Sequence, residues 1–305
     1  MPRVIPEPPY DLAQLIPEFA PLASEAVLLY PRSGAPGVLD SSMGGPLLWP
    51  ADEPWPYCAR SGHRAYGSYG GSWKESKPGA VPMVPVIQLF ARDAPWVEFP
   101  PGKDLAQLVW CPLEHDEEPG GSVVPRLYWR DEAETGARGT LSDAPVPREG
   151  EYGEDLVPRP CTVSPTPAVE YPGYDLPDEL LTTLLPRLEQ LQDRFGLWYT
   201  EVASALQNKA GGYPAWTQSP DWPHCGAGHR MEHLFSVTSE VAYGRWLPLD
   251  EHEPGTTQPQ WQAPAAEDIV DTIGPELMLG DMGGVYIFLC RRCPDLPYAH
   301  RFDCH

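Results

Sequence analysis

The sequence has no apolar run that approaches the roughly 18 residues of a membrane-spanning helix, so a membrane span is not expected. It is also poor in positive charge: 21 Lys and Arg stand against 43 Asp and Glu, for a formal net charge of -22. Such a charge repels phosphate backbones and anionic lipids, which argues against a nucleic-acid or membrane partner. It favours a basic protein or peptide as partner, although acidity also serves solubility alone.

Targeting and catalytic signatures are missing as well. Prolines and acidic residues interrupt residues 1–19, which predicts no signal peptide and a cytoplasmic location. There is no phosphate-binding Gly-Lys-Ser/Thr loop, no dinucleotide-binding glycine pattern, no His-Glu-x-x-His and no Gly-x-Ser-x-Gly. We therefore assign no catalytic residue from the sequence.

Proline, glycine and aromatic residues are abundant instead. The 305 residues include 40 Pro and 28 Gly, but also 11 Trp and 14 Tyr, and disordered chains are poor in aromatic residues. We therefore expect a folded protein that is rich in loops. Seven cysteines, an odd number without a secretion signal, predict reduced thiols, some of them able to bind metal.

One fifteen-residue stretch occurs twice. Residues 44–58 (GGPLLWPADEPWPYC) and 211–225 (GGYPAWTQSPDWPHC) align without a gap. The identical positions are Gly44/Gly211, Gly45/Gly212, Trp49/Trp216, Trp55/Trp222, Pro56/Pro223 and Cys58/Cys225. Two apolar runs further on end at Cys111 and Cys290. The pattern predicts an internal duplication, with a first repeat over 1–170 that carries an insertion at 61–81 and an acidic loop, and a second over 171–305.

The predicted fold class is α+β, with mainly antiparallel sheets and one main helix per repeat, because no regular alternation of strand and helix is present. Strands are expected at 84–90, 126–130 and 285–290. The second helix has Asp175 as its predicted N-cap and Gly196 as its end. Its apolar face consists of Leu180, Leu181, Leu184, Leu185, Leu188, Leu191 and Phe195.

The strongest chemical pattern is Cys225-x3-His229 together with Cys290-x2-Cys293. A Cys-x2-Cys pair at the end of a strand presents two thiolates to one Zn²⁺, and a second pair from a distant loop completes a tetrahedral, structural site. The fourth ligand is open among His224, His229, His233, Cys304 and His305. The alternative is that the cysteines are small buried apolar residues.

The first repeat carries a weaker version of the same pattern. Its members are Cys58, His63, Cys111 and His115, of which the two cysteines match Cys225 and Cys290. The spacing has changed in one pair and the residue type in the other, so a second zinc site and ordinary packing both remain open.

The matched tryptophans allow two interpretations. Trp49, Trp55, Trp216 and Trp222 follow glycine pairs and neighbour prolines, as expected for rings that fold over their own loops. The alternative is an aromatic groove that binds an extended or proline-rich peptide.

The chain resembles the YwqG-like family of unknown function through Gly211, Gly212, Pro214 and Trp216 and through GDMGGVYIF at 280–288. The segments LLWPADEPWP, LVWCPLEH and EYP are similar to a cysteine-containing actinobacterial branch of that family. The resemblance covers nearly the whole chain and implies a bacterial, cytoplasmic protein of mixed α/β structure without established activity. It does not imply zinc.

These observations lead to one functional hypothesis and one alternative. The first is a non-catalytic, metal-stabilised interaction protein of the cytoplasm, with an immunity-type role as one form of it. The alternative is a zinc-dependent hydrolase with an open metal position. The number of protein ligands around the metal separates the two, since structural zinc takes four and catalytic zinc three plus water.

Overall fold

The computed structural model describes residues 1–65, 74–75, 80–115, 117–118, 122–239 and 242–304. It confirms an α+β fold dominated by antiparallel sheet. Part of the predicted insertion at 61–81 lies outside the described residues, as does His305. Within the described ranges, no helix has the length and apolar character needed to cross a bilayer.

Two six-stranded sheets, antiparallel at every pairing, make up most of the structure. Sheet A contains, in spatial order, β13 (Thr166–Glu170), β1 (Ser24–Leu28), β14 (Lys209–Gly211), β15 (Glu232–Thr238), β16 (Gly284–Leu289) and β17 (Tyr298–Asp303). Sheet B contains β11 (Pro125–Arg130), β9 (Leu105–Trp110), β8 (Val84–Phe90), β3 (Ser42–Met43), β12 (Cys161–Thr162) and β2 (Arg32–Ser33). The three strands predicted from the sequence are confirmed as β8, β11 and β16.

Two small sheets are formed by segments that flank β8 and β9 in the chain: β7 (Val81–Pro82) comes just before β8, and β10 (Glu114–His115) comes just after β9. One contains β10, β5 (His63–Ala65) and β6 (Lys74–Glu75), and the other pairs β4 (Tyr57–Cys58) with β7. They fix the segments that carry Cys58, His63 and His115.

The helices differ from the prediction in several respects. The long helix α3 (Asp178–Phe195) ends at Gly196 in the left-handed conformation, as expected. It buries Leu184, Leu188 and Leu191, but Leu185, which was predicted on the same face, is exposed. The first repeat was also expected to have one main helix. Its N-terminal segment forms only the four-residue helix α1 (Leu12–Leu15), followed by a 3-10 helix over Pro17–Leu22. Two prolines only four residues apart, Pro17 and Pro21, oppose a longer α-helix there because neither has a backbone N–H to donate, whereas the 18 residues of α3 include the single Pro186. The remaining described α-helices are α2 (Glu132–Ala137) and α4 (Tyr199–Ala203).

The two sheets share one hydrophobic core. Leu89 of β8 and Leu108 of β9 belong to the same buried cluster as Phe235 of β15 and Ile287 of β16. A second cluster holds α3, α4 and the N-terminal helices together. The shared core joins both halves of the chain, and the boundary at 170/171 stays a prediction.

Candidate metal centres

The C-terminal cluster (Cys225, His229, Cys290 and Cys293) forms where the loop into β15 meets the turn out of β16. Antiparallel pairing sets Glu232, the first residue of β15, opposite Leu289, the last residue of β16. The loop that precedes β15 and the turn that follows β16 therefore lie at the same end of sheet A. This register brings Cys225 close to Cys293, which is 68 residues away in the sequence.

Two tight turns orient the ligand side chains. The Cys225 N–H donates to the His229 carbonyl at 2.9 Å, and the Gly228 N–H donates to the Cys225 carbonyl at 2.8 Å. Gly228 has φ +78°, a left-handed conformation that glycine adopts without strain. The second turn is closed by the Leu296 N–H, which donates to the Cys293 carbonyl at 3.1 Å. The first turn thus carries Cys225 and His229, the second begins at Cys293, and Cys290 directly follows the end of β16.

The separations match the edges of a zinc tetrahedron. The Sγ atoms of Cys225 and Cys293 are 3.7 Å apart. The His229 Nδ1 lies 3.7 Å from the Cys290 Sγ and 3.6 Å from the Cys293 Sγ. Zinc bond lengths of about 2.3 Å to sulfur and about 2.0–2.1 Å to nitrogen give tetrahedral edges of about 3.8 Å and about 3.6 Å. The sulfur separation is also far too long for a disulfide.

The N-terminal cluster (Cys58, His63, Cys111 and His115) is assembled by an equivalent register. In sheet B, Val84 begins β8 opposite Trp110, and Cys111 follows directly. Upstream of β8, strand β7 pairs Val81 with Cys58. The β5–β10 pairing sets His63 opposite His115. Four residues from two stretches of chain, 58–63 and 111–115, therefore meet at the corresponding end of sheet B.

All four residues of the N-terminal cluster are buried, and their donor atoms converge. The Cys58 Sγ lies 3.5 Å from the His63 Nε2 and 3.7 Å from the His115 Nε2. In each of the two clusters the four ligand atoms lie within 4.8 Å of one another. The N-terminal cluster thus offers two sulfurs and two nitrogens, and the C-terminal cluster three sulfurs and one nitrogen, all with the spacing of a four-coordinate site.

The thiols in each cluster influence one another strongly. The neighbouring Cys111 thiol lowers the pKa of Cys58, whereas the pKa of Cys111 is raised by Cys58 and by burial. In the C-terminal cluster, burial together with Cys290 and Cys225 raises the pKa of Cys293 to about 12. In each cluster an ionised thiol thus disfavours ionisation of its neighbour, through the hydrogen bond between them and through the repulsion of like charges. A divalent cation at the centre would remove this repulsion.

The other predicted ligand candidates lie elsewhere. The exposed His224 forms an isolated backbone bridge with Arg230. The His233 Nδ1 lies 2.9 Å from the Gly211 carbonyl and its Nε2 3.0 Å from the Ser236 hydroxyl, so both ring nitrogens are engaged. Cys304 lies at a separate cavity. Among the described candidates, His229 is the fourth member of the C-terminal cluster.

Three of the four matched tryptophans are core residues. Trp49, Trp55 and Trp216 are buried, and Trp55 donates its indole N–H to the Met83 carbonyl at 2.8 Å. Their rings pack beside the metal-type residues: Trp49 and Trp55 with Cys58 and Cys111, Trp216 and Trp222 with Cys225 and Cys290. Only Trp222 is partly exposed among the four. The placement favours packing over a peptide groove lined by all four rings.

Asp175 has a different role from the one predicted. Helix α3 begins at Asp178 after Pro177 and has no side-chain cap, so Asp175 is not its N-cap. The Asp175 carboxylate instead accepts the indole N–H of Trp222 at 3.2 Å. Burial raises the pKa of Asp175 to about 6, although its own backbone N–H and the Trp222 indole oppose the shift.

The Asp175→Asn variant is expected to gain stability relative to wild type as pH rises. In the unfolded chain this carboxyl ionises near pH 4, whereas in the fold it ionises near pH 6, so the cost of burying the charge grows above pH 4 and is complete above pH 6. Between pH 5 and pH 7.5 the variant should gain about 1 kcal/mol in free energy of unfolding over wild type. Urea unfolding at both pH values measures this. A constant difference, or the same trend in the exposed Asp193→Asn control, would refute it.

Sequence comparisons identify no relative. No family model matches the chain, and no curated protein matches it. The functional conclusion therefore depends on the geometry of the two clusters.

Proposed function

We propose that the protein is a non-catalytic, zinc-stabilised interaction protein with one structural zinc ion in each cluster. The observation that carries this is the donor set: each cluster supplies four protein donors with the separations of tetrahedral zinc. Three of the four C-terminal ligands come from tight turns at a sheet end, and the N-terminal set is buried throughout. Structural zinc sites are closed in this way, with Cys2His2 and Cys3His among their common sets.

A zinc-dependent hydrolase is the less supported alternative. A catalytic zinc keeps one position for water or substrate and takes three protein ligands. Each cluster here already offers a fourth protein donor at ligand spacing, which leaves no position for water.

X-ray absorption at the zinc edge tests the structural role. We expect an average of about 2.5 sulfur and 1.5 nitrogen ligands per zinc, from the Cys2His2 and Cys3His sets, with no oxygen shell. Substitution of His229 by Ala is the matched comparison, because it should introduce a water ligand at one of the two sites. An oxygen shell in the wild-type protein would favour the hydrolase.

The duplication predicted from the sequence is part of this proposal. The strand order of sheet B becomes that of sheet A when each strand of the first half is exchanged with one of the second half. The pairs are β1 and β12, β2 and β13, β3 and β14, β8 and β15, β9 and β16, and β11 and β17. The two hydrophobic clusters beside the candidate metal ligands support the same relation, since each has two tryptophans and one methionine, with two cysteines in the first and three in the second. The strand order favours a repeat boundary ahead of β12. The helices do not follow the exchange, since α3 separates β13 from β14 whereas a short loop joins β2 to β3.

Family, partner and compartment are further parts of the proposal. We propose membership of the YwqG-like family on the motifs quoted above, and a cytoplasmic location because both clusters require reduced thiols.

The net charge of -22 supports a basic protein or peptide as partner, including an immunity-type target. Such a partner should be retained on the immobilised protein at low salt and released at physiological salt. Equal retention at both would exclude charge as the basis of binding.

A further inference from the structure

A cavity of about 460 Å³ lies between the two halves of the chain. One wall comes from Glu114, Ser122, Val123 and residues 153–156, and the other from 278–285 and 302–304. This volume falls in the range of small-molecule sites, which is roughly 300–1,000 Å³. None of the metal-cluster residues lines it.

The floor of the cavity is apolar. Leu156, Leu279, Val123 and Val285 are buried side chains of the shared core, and the partly buried Phe302 adds an aromatic surface. A ligand that reaches this floor must therefore carry a hydrocarbon or aromatic part.

The polar groups of the cavity carry charge of one sign. Glu114, Asp155 and Asp281 line it, and the described residues that line it include no Lys, Arg or His. Concave surfaces lined by one sign of charge concentrate counter-ions. The electrostatics therefore select a cation and reject an anion.

One buried side chain that lines the cavity has no hydrogen-bond partner among the described residues. Ser122 lines the cavity with 4% of its surface exposed, and its Oγ has no hydrogen-bond partner among the described residues. Buried hydroxyls are nearly always hydrogen-bonded, and an unpaired one costs about 1–3 kcal/mol. A ligand with N–H donors would satisfy this oxygen.

We propose that this cavity binds an organic cation: a primary ammonium or guanidinium group on a short apolar chain. The apolar stem would contact Leu156 and Leu279, and the cationic head would lie among Asp155, Asp281 and the Ser122 hydroxyl. A free amine and a Lys or Arg side chain of a partner protein share this chemistry. The proposal is independent of the zinc ions, so it can fail while they are present.

Three probes of equal length test the chemistry on the full chain, namely n-pentylammonium, 1-pentanol and pentanoate. Titration followed by NMR should give saturable shifts for n-pentylammonium at residues that line the cavity. We expect binding of 1-pentanol to be at least tenfold weaker and no binding of pentanoate. Equal binding of all three probes, or shifts elsewhere, would overturn the proposal. Acetyl-Gly-Lys-Gly-amide separates the two sources: binding as tight as that of pentylammonium indicates a protein side chain, and weaker binding a free amine.

Paired variants test whether the cavity carboxylates bind the cation. Asp155→Asn with Asp281→Asn should weaken pentylammonium binding at least tenfold and leave 1-pentanol binding unchanged. The control is Asp143→Asn with Glu149→Gln, which removes two exposed carboxylates that do not line the cavity. Unchanged melting temperature and zinc content show that the variants are folded. Retained pentylammonium binding in the first double variant, or equal loss in the control, would refute a site-specific role for the cavity carboxylates.

Discussion

The Cys290→Ser variant is expected to retain one zinc ion per chain instead of two and to lose more than about 3 kcal/mol in free energy of unfolding. A zinc ion in the C-terminal cluster joins the end of β16 to the loop that enters β15, across a long stretch of a proline-rich chain. Closing a long loop with a metal stabilises the fold by constraining the unfolded chain. A serine hydroxyl stays protonated and binds zinc poorly, so the site loses both affinity and this constraint.

Three further variants separate zinc loss from ordinary core damage. Cys161 is as fully buried as Cys290, but its Sγ contacts the Gly274 carbonyl at 3.3 Å and lies outside both clusters. Cys161→Ala should therefore keep two zinc ions and lose only about 1 kcal/mol. Cys111→Ser should remove the other zinc ion, and the Cys111→Ser/Cys290→Ser protein should hold none. Full zinc content in Cys290→Ser would exclude the C-terminal cluster as a metal site.

The Lys209→Met variant is expected to lose about 3–5 kcal/mol in free energy of unfolding. Lys209 on β14 and Glu170 on β13 have no exposed surface, and the Lys209 Nζ donates to both Glu170 oxygens at 2.8 Å. The same carboxylate accepts the backbone N–H groups of Ala205 and Tyr213 at 2.8 and 2.9 Å. Removing the lysine leaves a buried carboxylate without its ion-pair partner, and burying such a charge is costly.

Urea unfolding at pH 7 measures this loss against two further variants. Arg187→Met breaks the exposed ion pair between Arg187 and Glu18 and should change the midpoint little, because solvent screens such pairs. Lys209→Met combined with Glu170→Gln should recover part of the loss, since no buried charge remains. A Lys209→Met midpoint equal to that of wild type would mean that the buried pair contributes nothing to stability.

The residues of both Cys/His clusters could be predicted from the sequence because closely spaced cysteine and histidine residues form a local pattern. Cys290-x2-Cys293 lies at the end of an apolar run, and the repeat marks Cys58 and Cys225 as equivalent positions. The helix α3 could also be predicted, since its apolar residues recur at helical spacing and a glycine ends it.

What the sequence could not predict depends on contacts between distant segments. No local signal connects Glu170 with Lys209, whose separation of 39 residues is bridged only when β1 enters sheet A between β13 and β14. The cavity has the same origin, because Ser122 and Asp281 face one space only after both sheets pack on a common core. Asp175 was misassigned since its partner, Trp222, is equally remote in the chain.

Zinc content per chain is the decisive quantity. Protein purified without chelators and measured by inductively coupled plasma mass spectrometry should contain two zinc ions per chain, one for each cluster. Folded protein that contains no zinc, and that melts at the same temperature after dialysis against a chelator, would show that the eight cysteine and histidine residues pack without metal.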